Sequence, residues 1–153
     1  MKKLLFITLF VMLYSVAYSQ IDELPEKVDN SFKTKYPGAK NVYWDQDNDN
    51  YRIEFEISSD TYNAIYTGSG GWIETAKIIS DTEIPANVIS AVSKSYPECS
   101  ISYAEYIETG KGEKFYRVNS FTDEADYKIN IDSNGKILST DINKYDYELD
   151  EEE

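Results

Sequence analysis

The chain has 153 residues, of which 28 are acidic and 15 basic, and its formal net charge at pH 7 is −13. So strong a negative charge repels phosphate backbones, and we therefore expect no nucleic acid partner. The chain contains no histidine, which removes the commonest general base and nearly all zinc sites. We accordingly expect no enzyme activity and no cofactor. The single cysteine, Cys99, leaves no internal disulfide.

The N-terminus has the pattern of a secretory signal peptide. A basic start with Lys2 and Lys3 is followed by an apolar run over residues 4–16 and by a small-x-small ending at residues 17–19. We predict cleavage after Ser19, so that residues 1–19 form the signal peptide. The mature protein is then periplasmic or secreted, with no membrane insertion after cleavage. A retained N-terminal anchor is the alternative.

Two matching segments, residues 24–37 and 84–97, predict two short helices that lie 60 residues apart. Each begins at a proline, which suits the first helical turn, and each ends before a second proline, which disfavours further helix. Apolar residues recur between them at helical spacing. They are Leu24, Val28, Phe32 and Tyr36 in the first segment, and Ile84, Val88, Ala91, Val92 and Tyr96 in the second.

Alternating apolar and polar residues predict four strands after the first helix. The clearest is residues 51–57, where Tyr51, Ile53 and Phe55 point one way and charged residues point the other. Further strands are predicted at residues 41–44, 62–66 and 72–78, with a glycine-rich hairpin turn at residues 68–71. Helices of about three turns are unstable alone in water, so each should lie on such strands.

The second part of the chain repeats this layout at an offset that grows to 65 residues. Residues 116–118 match residues 51–53, and residues 127–131 match residues 62–66. The extra residues lie in a longer loop at residues 109–112. The first strand after the second helix has two possible registers, because Ile101 with Tyr103 and Ala104 with Tyr106 each match the earlier strand.

These elements predict an α+β fold, a tandem duplication of a unit that consists of one helix and a four-stranded antiparallel sheet. The first unit spans residues 20–79 and the second residues 80–144. Both helices are expected to cover one face of a joined or paired sheet and to leave the opposite face exposed. Residues 145–153 are mostly acidic, which predicts a disordered, solubilising tail.

Four residues alternate out of phase with the predicted helix-facing side chains and are expected on the exposed sheet face. They are Arg52, Trp72, Phe115 and Arg117. Aromatic and arginine side chains are the types that carry most binding energy in protein interfaces. We interpret this face as a surface that binds an unknown protein partner in the envelope or outside the cell. The alternative is a solvated sheet face, since scattered exposed apolar residues are normal.

The stretch from Asp45 to Asn50 partly matches a calcium loop, with Asp45, Asp47 and Asp49 at alternate positions and Glu56 at the twelfth. The sixth position is Asn50, where the loop requires glycine. A plain hairpin turn rich in Asp and Asn is therefore favoured. The alternative function is a calcium-responsive or cation-binding envelope protein.

The paired segments resemble the PepSY-like, β-lactamase-inhibitor-like proteins exported by Bacteroidota. The residues that carry the resemblance are Leu24-Pro25, Phe32, residues 36–39, Val42, Trp44, Ile84-Pro85, Tyr96-Pro97 and residues 104–107. The resemblance implies a fold like that of β-lactamase inhibitory protein and an exported location. The exposed sheet face, together with the missing catalytic residues, predicts a non-enzymatic module that docks another protein and inhibits or regulates an envelope hydrolase or peptidase.

Overall fold

The computed structural model describes residues 23–146, and these form eight strands, two helices and one 3₁₀ turn. The predicted signal peptide and most of the predicted acidic tail lie outside the described residues. The elements in chain order are α1 (Glu26–Lys35), β1 (Lys40–Asp47), β2 (Asn50–Ile57), β3 (Asp60–Thr67), β4 (Trp72–Ile79), the 3₁₀ turn (Asp81–Glu83), α2 (Ala86–Ser95), β5 (Ser100–Thr109), β6 (Lys114–Phe121), β7 (Ala125–Ile131) and β8 (Ile137–Lys144).

Both helices form where their apolar spacing predicted them. Each follows a proline and buries two residues one turn apart, Val28 and Phe32 in α1 and Val88 and Val92 in α2. Each ends at a tyrosine whose hydroxyl shares a hydrogen bond with a threonine of the sheet, Tyr36 with Thr75 and Tyr96 with Thr140. The prolines that follow these tyrosines disfavour further helix.

The eight strands form one continuous antiparallel sheet in the order β1 to β8. Strands β4 and β5 pair directly, from Glu74 with Thr109 to Ile79 with Ala104, across the predicted boundary at residue 80. The predicted fold class is therefore wrong. The protein is mostly β, and its two short helices lie on a single sheet rather than in tandem helix-plus-four-strand units. Two separate sheets would leave the backbone groups of β4 and β5 unpaired, and their pairing satisfies those groups.

Both helices pack on the same face of this sheet, which we call the covered face. Tyr62 belongs to the apolar cluster under α1 and Tyr106 to the cluster under α2. Both tyrosines are paired with Lys77 across neighbouring strands, and paired residues share a face. The fully buried residues of the two clusters include Ile53, Phe55, Ala64 and Tyr66 under α1, and Ala104, Val118, Ile129 and Ile131 under α2.

A hairpin-turn glycine lies against the first turn of each helix. A Cβ atom on Gly70 would lie 2.5 Å from the Lys27 carbonyl oxygen, and one on Gly135 would lie 2.8 Å from the Asn87 carbonyl oxygen. Both glycines also have positive φ, at 85° and 84°. Only glycine adopts this conformation without strain while allowing so close an approach. These turns therefore help to set where each helix sits on the sheet.

Within residues 23–146, neither helix is long and apolar enough to cross a membrane.

Candidate functional site: the open face of the sheet

The face opposite the helices, which we call the open face, can be traced through cross-strand pairs. One row runs from Arg52 through Ile65 to Glu74, and another pairs Glu105 with Arg117. Alternate residues of the same strands point to the covered face. None of the helices described in residues 23–146 covers this second set of side chains, so they are the candidate binding surface.

The open face is hollowed into a groove that crosses the middle of the sheet. One part has a volume of about 480 Å³ and an adjoining part about 460 Å³. The two parts share Tyr103, Lys128 and Asp141, so they form one continuous depression. A volume of this order lies within the range of ligand pockets, but the depression is open to solvent along its length. It suits a protein segment better than an enclosed small molecule.

An ion pair between Arg117 and Glu74 lies at the centre of the groove. The two guanidinium NH₂ groups donate to the two carboxylate oxygens over 2.7 and 3.1 Å, and the Arg117 Nε donates to Asn130 Oδ1 over 3.1 Å. The side chains are only 15% and 16% exposed. Burial alone would lower the pKa of Arg117, but its bonds to Glu74 raise that pKa overall. Arg117 is thus held in place and its charge is neutralised within the protein.

Tyr103 is the most prominent aromatic side chain beside this ion pair, with 45% of its surface exposed. It reaches the open face because β5 has a bulge between Ile101 and Tyr103. Its pKa is raised, first by burial and next by Glu105, while the nearby guanidinium groups oppose the rise. The phenol is therefore neutral at physiological pH. A rigid ring with a polar tip is typical of residues that dominate protein interfaces.

Three of the four predicted surface residues lie on the open face. Arg52 is exposed and has Asp45 opposite it on β1. Phe115 is partly buried, with the Arg117 guanidinium 5.7 Å from its ring centre. Of these three side chains, Arg52 is the one that solvent reaches most fully.

Trp72 lies on the covered face, contrary to the prediction. A bulge at Ile73 shifts the register of β4, so that Trp72 is paired with Tyr66 instead of following the alternation of its strand. The Lys35 ammonium lies 3.5 Å from its ring centre, and its indole N–H donates to Thr75 Oγ1 over 2.8 Å. Trp72 therefore stabilises the contact between α1 and the sheet and does not contribute to the open face.

Sequence alternation missed three exposed residues of this face. Tyr43, Ile78 and Tyr103 are 68%, 39% and 45% exposed. Bulges in β1 and β5 precede Tyr43 and Tyr103 and change the alternation just before them. Two registers of β5 were compatible with the sequence, one aligning Ile101 and Tyr103 with the earlier strand and the other Ala104 and Tyr106. These registers place Tyr103 on opposite faces, and this ambiguity was the sequence signal for the residue.

The Asp45–Asn50 stretch folds as a hairpin between β1 and β2. Asp47 pairs with Asn50, and Asn48 has the positive φ that such two-residue turns require. Glu56 lies at the far end of β2, where it accepts a hydrogen bond from Asn41 over 2.7 Å. Within residues 23–146, no group of three or more His, Cys, Asp or Glu residues could hold a metal ion. The structure gives the calcium alternative no support.

The chain matches a family model in two overlapping segments, residues 15–63 and 57–139, and the model is described as "Putative beta-lactamase-inhibitor-like, PepSY-like". The chain belongs to this family. The resemblance noted in the sequence is thereby confirmed. No curated protein matches the chain in sequence.

Solved structures share the fold of this PepSY-like protein. A DUF2874 family protein from Bacteroides ovatus superposes with a TM-score of 0.69 at 24% identity, covering 79% of this chain and 89% of that one. A BLIP-like protein from Bacteroides fragilis superposes with a TM-score of 0.68 at 14% identity, covering 84% and 93%. A protein from Bacteroides eggerthii described as "putative periplasmic proteins" gives 0.69 at 18% identity, covering 79% and 90%. At these identities the likeness concerns the fold alone.

Proposed function

We propose that this PepSY-like protein is an exported, non-enzymatic module that docks another protein through its open face. The observation that carries the proposal is the groove around Tyr103, an exposed aromatic beside a fixed ion pair on a face that its own helices leave uncovered. Exposed apolar surface of this kind, rimmed by polar residues, is typical of interaction sites.

The family description and the BLIP-like structural neighbour support a protein partner over a small ligand. The signal-peptide pattern of residues 1–19 and the periplasmic description of another neighbour support export. We further propose that docking inhibits or regulates an envelope hydrolase or peptidase. Such an enzyme would insert a protruding loop into the groove.

A pull-down from the envelope fraction of the producing cells tests this proposal. The bait is the exported protein in three forms, namely wild type, an open-face variant with Arg52→Ala and Tyr103→Ala, and a control with Ile89→Ala and Lys94→Ala on exposed positions of α2. We expect wild type and control to retain the same partner, and the open-face variant to retain at least tenfold less. Equal retention by all three forms would contradict docking through this face.

A second measurement tests the regulatory part of the proposal. The hydrolase or peptidase activity of the retained partner is assayed with and without the exported protein. A fall in activity with wild type but not with the open-face variant is the expected result. A partner whose activity does not change, or that has no hydrolytic activity, contradicts regulation of a hydrolase while leaving docking itself intact.

A further inference from the structure

The charges of the open face indicate what kind of protein segment it binds. Cross-strand pairing and the alternation of side chains place four carboxylates of β1 and β2 on this face, namely Asp45, Asp47, Glu54 and Glu56. Glu105 on β5 lies within the groove beside Arg117, and on the other side β7 and β8 contribute one carboxylate each, Asp126 and Asp141. The face is thus acidic on both sides of its centre.

Few cations of the same face balance these carboxylates. Apart from the Arg117–Glu74 pair, the open face carries seven carboxylates against the three cations Lys40, Arg52 and Lys128. In the described part of the chain, none of the seven forms a salt bridge. The lysines that do form salt bridges, at residues 33, 77 and 114, bind carboxylates of α1, turns and the covered face.

A few apolar side chains adjoin the ion pair at the centre of the face. Ile107 is fully buried although its side chain points to the open side, and Ala76, paired with it, is 4% exposed. The exposed side chains of Tyr103 and Ile78 lie beside them. The surface therefore has a neutralised ion pair and two exposed apolar side chains, Tyr103 and Ile78, between two acidic flanks.

We propose, building on the docking function proposed above, that the partner presents a loop with an aromatic or apolar tip flanked on both sides by lysine or arginine residues. The tip contacts Tyr103 and the basic flanks face the carboxylates of β1–β2 and of β7–β8. Strands β2 and β8 each lie three positions from β5, which is about 14 Å at the usual strand spacing. An extended segment covers that distance in roughly four residues, so the basic residues lie about three to four positions from the tip.

Charge complementarity of this kind gives both specificity and faster association. Unpaired carboxylates at the rim attract a cationic segment over several ångströms, and like charges repel an acidic one. Contacts with the exposed side chains of Tyr103 and Ile78 supply most of the affinity, because desolvated aromatic contacts dominate interface energies.

A peptide titration followed by NMR tests the proposal. The probe is the blocked peptide Lys-Lys-Ser-Gly-Trp-Gly-Ser-Lys-Lys, and its counterpart has glutamate in place of every lysine. The exported protein is studied as wild type, as the open-face variant E54Q/E105Q/D141N, and as the control E23Q/E26Q/D81N. Both variants remove three negative charges, and the control residues are exposed at positions near the helix starts.

We expect the lysine peptide to shift backbone amide signals of β2, β5, β6 and β8 at physiological salt, and the glutamate peptide to shift none. Affinity for the lysine peptide should fall at least fivefold in the open-face variant and stay within twofold in the control. Equal weakening in both variants would show attraction by net charge alone and overturn the proposal. No binding, or shifts confined to the helices, would also overturn it.

Failure of the basic-loop proposal can be distinguished from failure of the docking proposal. A partner retained by wild type and lost with Arg52→Ala and Tyr103→Ala, but bound unchanged by E54Q/E105Q/D141N, would leave docking intact and contradict the basic loop. A partner equally retained by all of these variants would contradict docking itself.

Discussion

The covered face and the open face of the same eight strands have opposite physical characters. On the covered face the large side chains are fully buried beneath helices, as with Phe55 and Ile129. On the open face Tyr103 and Ile78 stay exposed, and the main interaction at the centre is an ion pair. Adjacent residues of one strand therefore serve different purposes. Stability is concentrated on one face, and the other is free to bind.

The largest expected difference between the faces is in the free energy of unfolding. Ile129→Ala removes a fully buried side chain beneath α2 and should cost about 2–5 kcal/mol, because it leaves a cavity in the core. Ile78→Ala, on the open face, removes a side chain that is 39% exposed and should cost less than about 1 kcal/mol. Urea unfolding of both variants measures the difference. Similar losses would mean that the open face is also part of the core.

A second prediction concerns the ion pair of the open face. Arg117→Met leaves the Glu74 carboxylate poorly exposed and unpaired, which should destabilise the protein by about 1–3 kcal/mol. The double variant Arg117→Met, Glu74→Met should recover most of that loss, because no unpaired charge remains. Chemical denaturation of the two single variants and the double variant gives the coupling energy. Additive losses would contradict a direct pairing.

A third prediction concerns a buried hydroxyl of the covered face. Tyr66 is fully buried, and its hydroxyl has no hydrogen-bond partner among the described residues. Tyr66→Phe should therefore raise the free energy of unfolding by about 1 kcal/mol at pH 7, because it removes an unpaired polar group. A lower stability of the phenylalanine variant at pH 7 would show that the hydroxyl is satisfied.

The pH dependence of the same variant sharpens this test. Burial, and then the nearby Tyr36, raise the pKa of Tyr66 in the folded protein. The raised pKa leaves the free energy of unfolding unchanged below the ordinary tyrosine pKa of about 10 and lowers it above that pH, because the unfolded chain ionises first. Thermal unfolding should therefore show a steeper loss of stability from pH 9 to 11 in wild type than in Tyr66→Phe. Parallel curves would contradict the raised pKa.

The smallest expected effect on stability comes from Tyr103→Ala. The ring is nearly half exposed, so its removal should change the free energy of unfolding by no more than about 0.5 kcal/mol. Binding of the partner should nevertheless weaken by tenfold or more, because exposed aromatic anchors dominate interfaces. Denaturation and affinity measurements on the same preparation separate the two effects. A large loss of stability would place Tyr103 in the folding core instead.

Periodicity was sufficient to predict both helices and strand β2. The spacing of Val28 with Phe32 and of Val88 with Val92 predicted both helices, and alternation in residues 51–57 predicted β2 and its buried side. It could not decide between one joined sheet and two paired sheets, because strand pairing is a tertiary contact that leaves no local signal. The fold class was wrong for that reason.

Side-chain placement failed where bulges interrupt the alternation. The extra residue Ile73 turns Trp72 to the covered face, and the bulge after Ile101 turns Tyr103 to the open face. A bulge reverses the direction of every side chain beyond it, so a period-two pattern read through it gives the wrong face. Arg52 and Arg117 were placed correctly because β2 and β6 are regular at those positions.

Site-specific photocrosslinking in living cells tests docking through the open face most directly. A photoreactive phenylalanine replaces Tyr103 in one strain and Ile89, on the exposed side of α2, in another. Docking through the open face predicts a crosslinked partner from position 103 and none from position 89. Crosslinking from position 89 alone, or equally from both positions, would contradict it.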